Sequence, residues 1–91
     1  MSSIRLEIRG RVQGVGFRWF VRETARKLGL SGWVSNRPDG NVEVAAAGAD
    51  EALEKLRTAL GNGPPGAIVQ SVNNLPAPEA ESLPKPFTIV R

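Results

Sequence analysis

The apolar period of this chain changes once near its start, and that change constrains most of what it can fold into. Ile4, Leu6 and Ile8 alternate with Arg5, Glu7 and Arg9, so residues 4–12 are predicted as a strand with one buried and one wet face. From residue 17 the spacing is helical: Phe17, Phe20, Val21, Thr24 and Leu28 share a stripe, Glu23 and Lys27 stand at i,i+4, and Gly29 is placed to end the helix. The two segments are joined by Gly10-Arg-Val-Gln-Gly-Val-Gly-Phe-Arg18, a glycine-rich bend that closes on an arginine. Residues 31–36, Ser-Gly-Trp-Val-Ser-Asn, read as a second short strand. A strand–helix–strand passage is right-handed in nearly all cases and leaves its two strands parallel. The bend and Asn36 therefore belong on one rim of a sheet, at most about two strand spacings of roughly 4.8 Å apart.

Arg37-Pro38-Asp39-Gly40 fits a tight turn, with Pro38 presetting φ and Gly40 free to take φ > 0. Beyond it Val42 and Val44 alternate with Asn41 and Glu43, giving a third strand to about Ala47 and a hairpin with the second. Asp50 opens a helix with Glu51 and Glu54 early, Leu53, Leu56 and Leu60 on one face, Lys55 and Arg57 late, and Gly61 as its expected terminator. Ala67 to Val72 is β-branched enough for a fourth strand; residues 73–84, with Pro76, Pro78 and Pro84, are expected to form a loop before a last strand at Phe87-Thr-Ile-Val90. The order βαββαβ plus a terminal strand is an α+β, ferredoxin-like arrangement with two helices on one face of a mostly antiparallel sheet. No repeat or linker marks a second unit, so residues 1–91 are expected to form one domain.

Cysteine and histidine are both absent, which excludes disulfides, thiolate nucleophiles, Ser-His-Asp triads, zinc fingers and the usual general base near neutral pH. A hydrophobic content of 41% with 23% charged residues is that of an ordinary globular chain. No apolar run approaches the roughly 20 residues a bilayer needs, and the first residues lack the apolar core of a secretory signal, so a cytoplasmic location without membrane contact is expected. Residues 1–37 carry eight Lys/Arg against two Asp/Glu, and residues 38–91 four against seven, so the positive field lies around the glycine bend. Such a field suits a solvated surface, a nucleic acid or a small phosphate-bearing ligand, and charge alone does not separate the three.

Glycines allow backbone N–H groups to converge, a helix N-terminus adds positive partial charge, and a guanidinium matches an oxyanion bidentately. The amides of Gln13, Gly14, Val15, Gly16 and Phe17, with Arg18, are thus a candidate phosphate cradle; the same glycines also suit a plain strand-to-helix turn. Asn36 suits a turn before Arg37-Pro38, and its amide can equally accept from and donate to a water. Trp19 and Trp33 read as packing groups rather than ligand platforms, and Phe17 as core. A site without acid–base groups fits phosphoryl transfer to water from a good leaving group, a mixed anhydride rather than an alkyl ester. A binding module for RNA or a phosphate ligand on the same fold is the alternative. Against RNA, the first strand exposes Arg5, Glu7 and Arg9, and the third has no aromatic on which bases could stack.

Gly10 to Arg18, followed by Gly32-Trp-Val-Ser-Asn36, Pro38-Asp-Gly40, Gly63-Pro-Pro65 and Phe87-Thr-Ile-Val-Arg91, closely resembles acylphosphatase in its bacterial or archaeal form, over essentially the whole chain. The resemblance implies hydrolysis of the carboxyl–phosphate bond of small acyl phosphates without metal or organic cofactor. It implies catalytic roles for Arg18, which would bind the phosphoryl group with the loop amides, and for Asn36, which would orient the attacking water while the substrate's phosphate takes its proton. Many relatives have Thr or Leu where this chain has Arg37, so no role passes to Arg37. The family also includes such domains within larger maturation factors; a free-standing monomer with no nucleic-acid partner is the expectation here.

Overall fold

The computed structural model describes residues 1–90. Its elements follow in the order β1 (Ser2–Arg11), α1 (Phe17–Lys27), β2 (Ser31–Asn36), β3 (Val42–Gly48), α2 (Asp50–Asn62), β4 (Ile68–Leu75), a 3-10 turn at Ala80–Ser82 and β5 (Thr88–Val90). Arg91, the last residue of the terminal motif, lies outside the described residues.

One mixed sheet in the order β4-β1-β3-β2-β5 organises the molecule. β3 runs antiparallel between β1 and β2, so those two strands are parallel and end on the same rim; among the described residues only the β2–β5 pair is hydrogen-bonded in parallel. Strand alternation sends Leu6, Ile8, Val34, Val42, Val44 and Ala46 to one face. There they join Phe17, Val21 and Ala25 of α1 and Leu53, Leu56 and Leu60 of α2 in one buried cluster. Each large side chain fully removed from water contributes about 1.5–3 kcal/mol, so these stripes hold both helices on that face. The predicted βαββαβ order, the two-helix layer and the terminal strand are all present.

The differences lie at element ends and have local causes. The first strand covers Ser2–Arg11 rather than residues 4–12, and a register shift between Arg9 and Gly10 bends it before the loop. Leu28 is the C-cap of α1 rather than a residue within it, yet it still packs against the core below the stripe. α2 passes through Gly61 and stops at Gly63, whose φ of 69° suits the chain reversal before Pro64. β4 runs to Leu75, beyond the expected end at Val72, because Asn73 and Leu75 find Glu7 and Arg5 as partners on β1. The expected loop over 73–84 shrinks accordingly and contains the 3-10 turn; it is tied back by Ser3 Oγ donating to the Pro78 carbonyl at 2.5 Å and Gly32 N–H to the Pro84 carbonyl at 2.8 Å.

Candidate active site

Asn36 shares strand parity with Val34, so its side chain belongs to the helix-covered face. It stands opposite Val42, which stands opposite Ile8, placing Asn36 level with the outgoing end of β1. Three residues past Ile8 that strand ends, and the chain turns through Gly14 and Gly16, whose φ values of 77° and 75° are left-handed. A side chain in that conformation costs roughly 1–2 kcal/mol, which is why glycines occupy both positions.

Gly16 is also the N-cap of α1, without a side-chain cap and with no acidic residue in the first turn. The first helical bond is Phe20 N–H to Gly16 O at 3.0 Å, so the N–H groups preceding Phe20 have no partner inside the helix. An uncapped helix start beside a guanidinium is a place of positive potential.

A cavity of about 470 Å³ opens at this point. Gly14, Gly16, Arg18 and Asn36 form its polar wall, and Val12, Phe17, Trp19 and Ile89 its apolar one. Asn36 Oδ1 is buried and has no hydrogen-bond partner among the described residues. A buried acceptor left unmade costs about 1–3 kcal/mol, so a donor that reaches this oxygen, such as a water, gains a partner the protein does not supply. The arrangement can hold a tetrahedral oxyanion and orient a small nucleophile beside it. Among the described residues, no carboxylate or imidazole lines the cavity.

Comparison with known proteins agrees with this geometry. The acylphosphatase family pattern matches residues 4–89. This chain belongs to the acylphosphatase family. An acylphosphatase of Rhizobium etli is 45% identical over 88 residues, which cover 97% of this chain and 93% of that protein. The crystal structure of acylphosphatase from Bacillus subtilis superposes with a TM-score of 0.92 at 42% identity, each chain fully covered. An acylphosphatase from Coxiella burnetii superposes at 0.85 with 35% identity, over 98% of this chain and 92% of that one.

Of the predicted site residues in this acylphosphatase fold, Gly14, Gly16, Phe17, Arg18 and Asn36 all line the cavity, whereas Gln13 and Val15 do not. Val15 packs against the core. The Gln13 carboxamide is committed elsewhere: Nε2 donates to the carbonyls of Arg37 and Asn41 at 2.8 and 2.9 Å. The Asn41 carbonyl also accepts from Arg37 N–H at 2.7 Å, so a single side chain clips the glycine loop to the turn that follows Asn36.

A second tie holds the same turn from the sheet's open face. Glu43, with a side chain only 4% exposed, receives Arg37 Nη1 on Oε1 at 2.7 Å and Arg5 Nε on Oε2. Glu43 lies directly opposite Glu7 across β1 and β3, a like-charge pairing relieved by these arginines and by Arg9, whose Nε meets Glu7 Oε1 at 3.0 Å. Arg37 and Glu43 carried no expected role. The available signal was Glu43 itself, the single acid in an otherwise apolar strand.

Trp19, read from the sequence as a packing group rather than a ligand platform, is 59% exposed at the cavity wall, because helical spacing places it outside the Phe17, Val21, Ala25 stripe. Phe17 is core, 1% exposed. Trp33 is half-buried on the open sheet face, opposite Ala45 and Thr88. The open face alternates in sign along Arg5, Glu7 and Arg9, with Glu43 closing two of the ion pairs, which does not favour a nucleic-acid surface.

Proposed function

We propose that this chain hydrolyses the carboxyl–phosphate bond of acyl phosphates. The observation that carries the reading is one cavity walled together by Arg18, the uncapped start of α1 and Asn36, whose buried Oδ1 has no partner among the described residues. In this reading the main-chain amides of residues 13–18 and the Arg18 guanidinium bind the phosphoryl oxygens. Asn36 Oδ1 accepts a hydrogen bond from water and turns the water's lone pair toward phosphorus. The phosphorus–oxygen bond to the acyl group breaks, the electron pair leaves with the carboxylate, the water oxygen bonds to phosphorus, and a phosphate oxygen of the substrate takes the proton.

Positioning and charge stabilisation suffice for this chemistry, since the transition state is loose and charge is spread over the phosphoryl oxygens. One preorganised donor to developing charge contributes about 3–4 kcal/mol. A carboxylate, whose acid has a pKa near 4, leaves without a general acid; an alkoxide does not. All groups invoked come from one chain. The proposal therefore extends to a monomer, acting as a single domain over residues 1–91 on a small molecule in the cytoplasm, with neither metal nor nucleic acid taking part. Phosphate release from benzoyl phosphate, measured with and without EDTA, tests it: equal, enzyme-dependent rates are expected. No release above the uncatalysed rate, or loss of activity on chelation, contradicts it.

A further inference from the structure

We infer that Trp19 and Ile89 form a subsite for the acyl half of the substrate, favouring acyl phosphates with an aromatic or bulky apolar acyl group over acetyl phosphate. The inference rests on the hydrolytic reading above and adds the substrate class. Isolated exposed apolar side chains are ordinary on protein surfaces, but Trp19 is not placed at random. It directly follows Arg18 and lines the same cavity while remaining 59% exposed. Val12 and Phe17 share the apolar wall but are each 1% exposed, so the open apolar surface comes from Trp19 and from half-buried Ile89. Pairing of Ile89 with Val34 fixes it to the strand that carries Asn36.

Size supports the same conclusion. A cavity of about 470 Å³ lies within the roughly 300–1,000 Å³ range of sites for small organic ligands. A water molecule occupies about 30 Å³ of liquid, and a phosphoryl group is only a few times larger, so most of this volume faces something else. Until the phosphorus–oxygen bond breaks, the acyl group is held within a few bonds of the phosphoryl oxygens at Arg18. The exposed apolar surface there belongs to an indole and a branched aliphatic chain.

Such contacts act alike on bound substrate and transition state, so their loss is expected chiefly in KM. The experiment compares wild type, Trp19→Ala and Trp19→Phe on benzoyl and acetyl phosphate, with inorganic phosphate and phenylphosphonate as inhibitors. In Trp19→Ala the benzoyl-to-acetyl ratio of kcat/KM is expected to drop roughly two- to tenfold, the span of one aromatic contact, and Trp19→Phe to restore most of it. Phenylphosphonate should lose its advantage over inorganic phosphate in parallel. An unchanged ratio in Trp19→Ala, or an equal loss on both substrates, overturns the subsite. Should wild type hydrolyse neither substrate, the hydrolytic reading fails. Calorimetry with phenylphosphonate and phosphate then decides the subsite: a Trp19-dependent preference for the phenyl compound upholds it, and no such preference overturns it.

Discussion

Gln13 and Arg37, 24 positions apart in the chain, are joined by a hydrogen bond of 2.8 Å from Gln13 Nε2 to the Arg37 carbonyl. Gln13 opens the glycine loop and Arg37 follows Asn36, so this bond spans the two halves of the proposed site. Its companion, to the Asn41 carbonyl at 2.9 Å, makes the clip two-pronged.

Gln13→Ala removes both prongs and leaves two turn carbonyls without that donor. A loss of about 1–2 kcal/mol in urea unfolding is expected, since each bond contributes about 0.5–1.5 kcal/mol and the site is partly solvated. The kinetic effect should be larger, on the order of 10- to 100-fold in kcat/KM, because a displacement near 1 Å at a positioned nucleophile costs that much. Activity equal to wild type would separate the clip from catalysis.

Glu43 tests the tie on the opposite face. Removing one member of a fully buried ion pair costs about 3–5 kcal/mol, but the arginine side chains here are 38% and 50% exposed. Water screens them, so Glu43→Gln is expected to cost about 1–3 kcal/mol, read as a lower urea midpoint with an unchanged m-value. A midpoint shift too small to measure would mean that the arginines gain nothing from the buried carboxylate.

Gly16→Ala probes backbone conformation alone, since a methyl at Gly16 meets nothing within 4 Å. The φ of 75° is the obstacle. A stability loss of about 1–2 kcal/mol is expected together with weaker competitive inhibition by inorganic phosphate, as the amides that follow are turned away. Full stability with full phosphate affinity would show that the left-handed turn is dispensable.

The sequence already contained the fold where local chemistry and tertiary contacts agree. Asp50 and the Leu53, Leu56, Leu60 stripe specify α2, and Pro38 with Gly40 specifies the turn between β2 and β3. It was silent where partners decide. Asn73 and Asn74 have little strand preference, yet they pair with Glu7 and Leu6 because β1 extends that far. Within the site, Arg18 and Asn36 were legible because strand parity and a right-handed crossover put them on one rim. The side-chain bonds of Gln13 were not, because they depend on where two carbonyls point after a turn. The exposure of Trp19 at the cavity wall is hidden for a related reason: a large aromatic beside a helical stripe reads as a packing group until the helix's rotation is known.

Arg18→Ala and Asn36→Ala should both fold as wild type and differ in kinetics. Losing the guanidinium should reduce kcat/KM by at least about 100-fold and weaken phosphate inhibition. Arg18→Lys should recover only part of it, since an ammonium lacks the planar fork. Losing the carboxamide should act mainly on kcat, leaving phosphate affinity close to wild type, because Asn36 in this account touches water rather than phosphate.

The most direct measurement is a crystal structure with vanadate, which adopts the five-coordinate geometry of in-line attack. The equatorial oxygens are expected within hydrogen-bond distance of the main-chain amides at the start of α1 and of the Arg18 guanidinium, with one apical oxygen on Asn36 Oδ1. Vanadate bound at another surface, or bound in the cavity with Asn36 turned away from both apical positions, would contradict it.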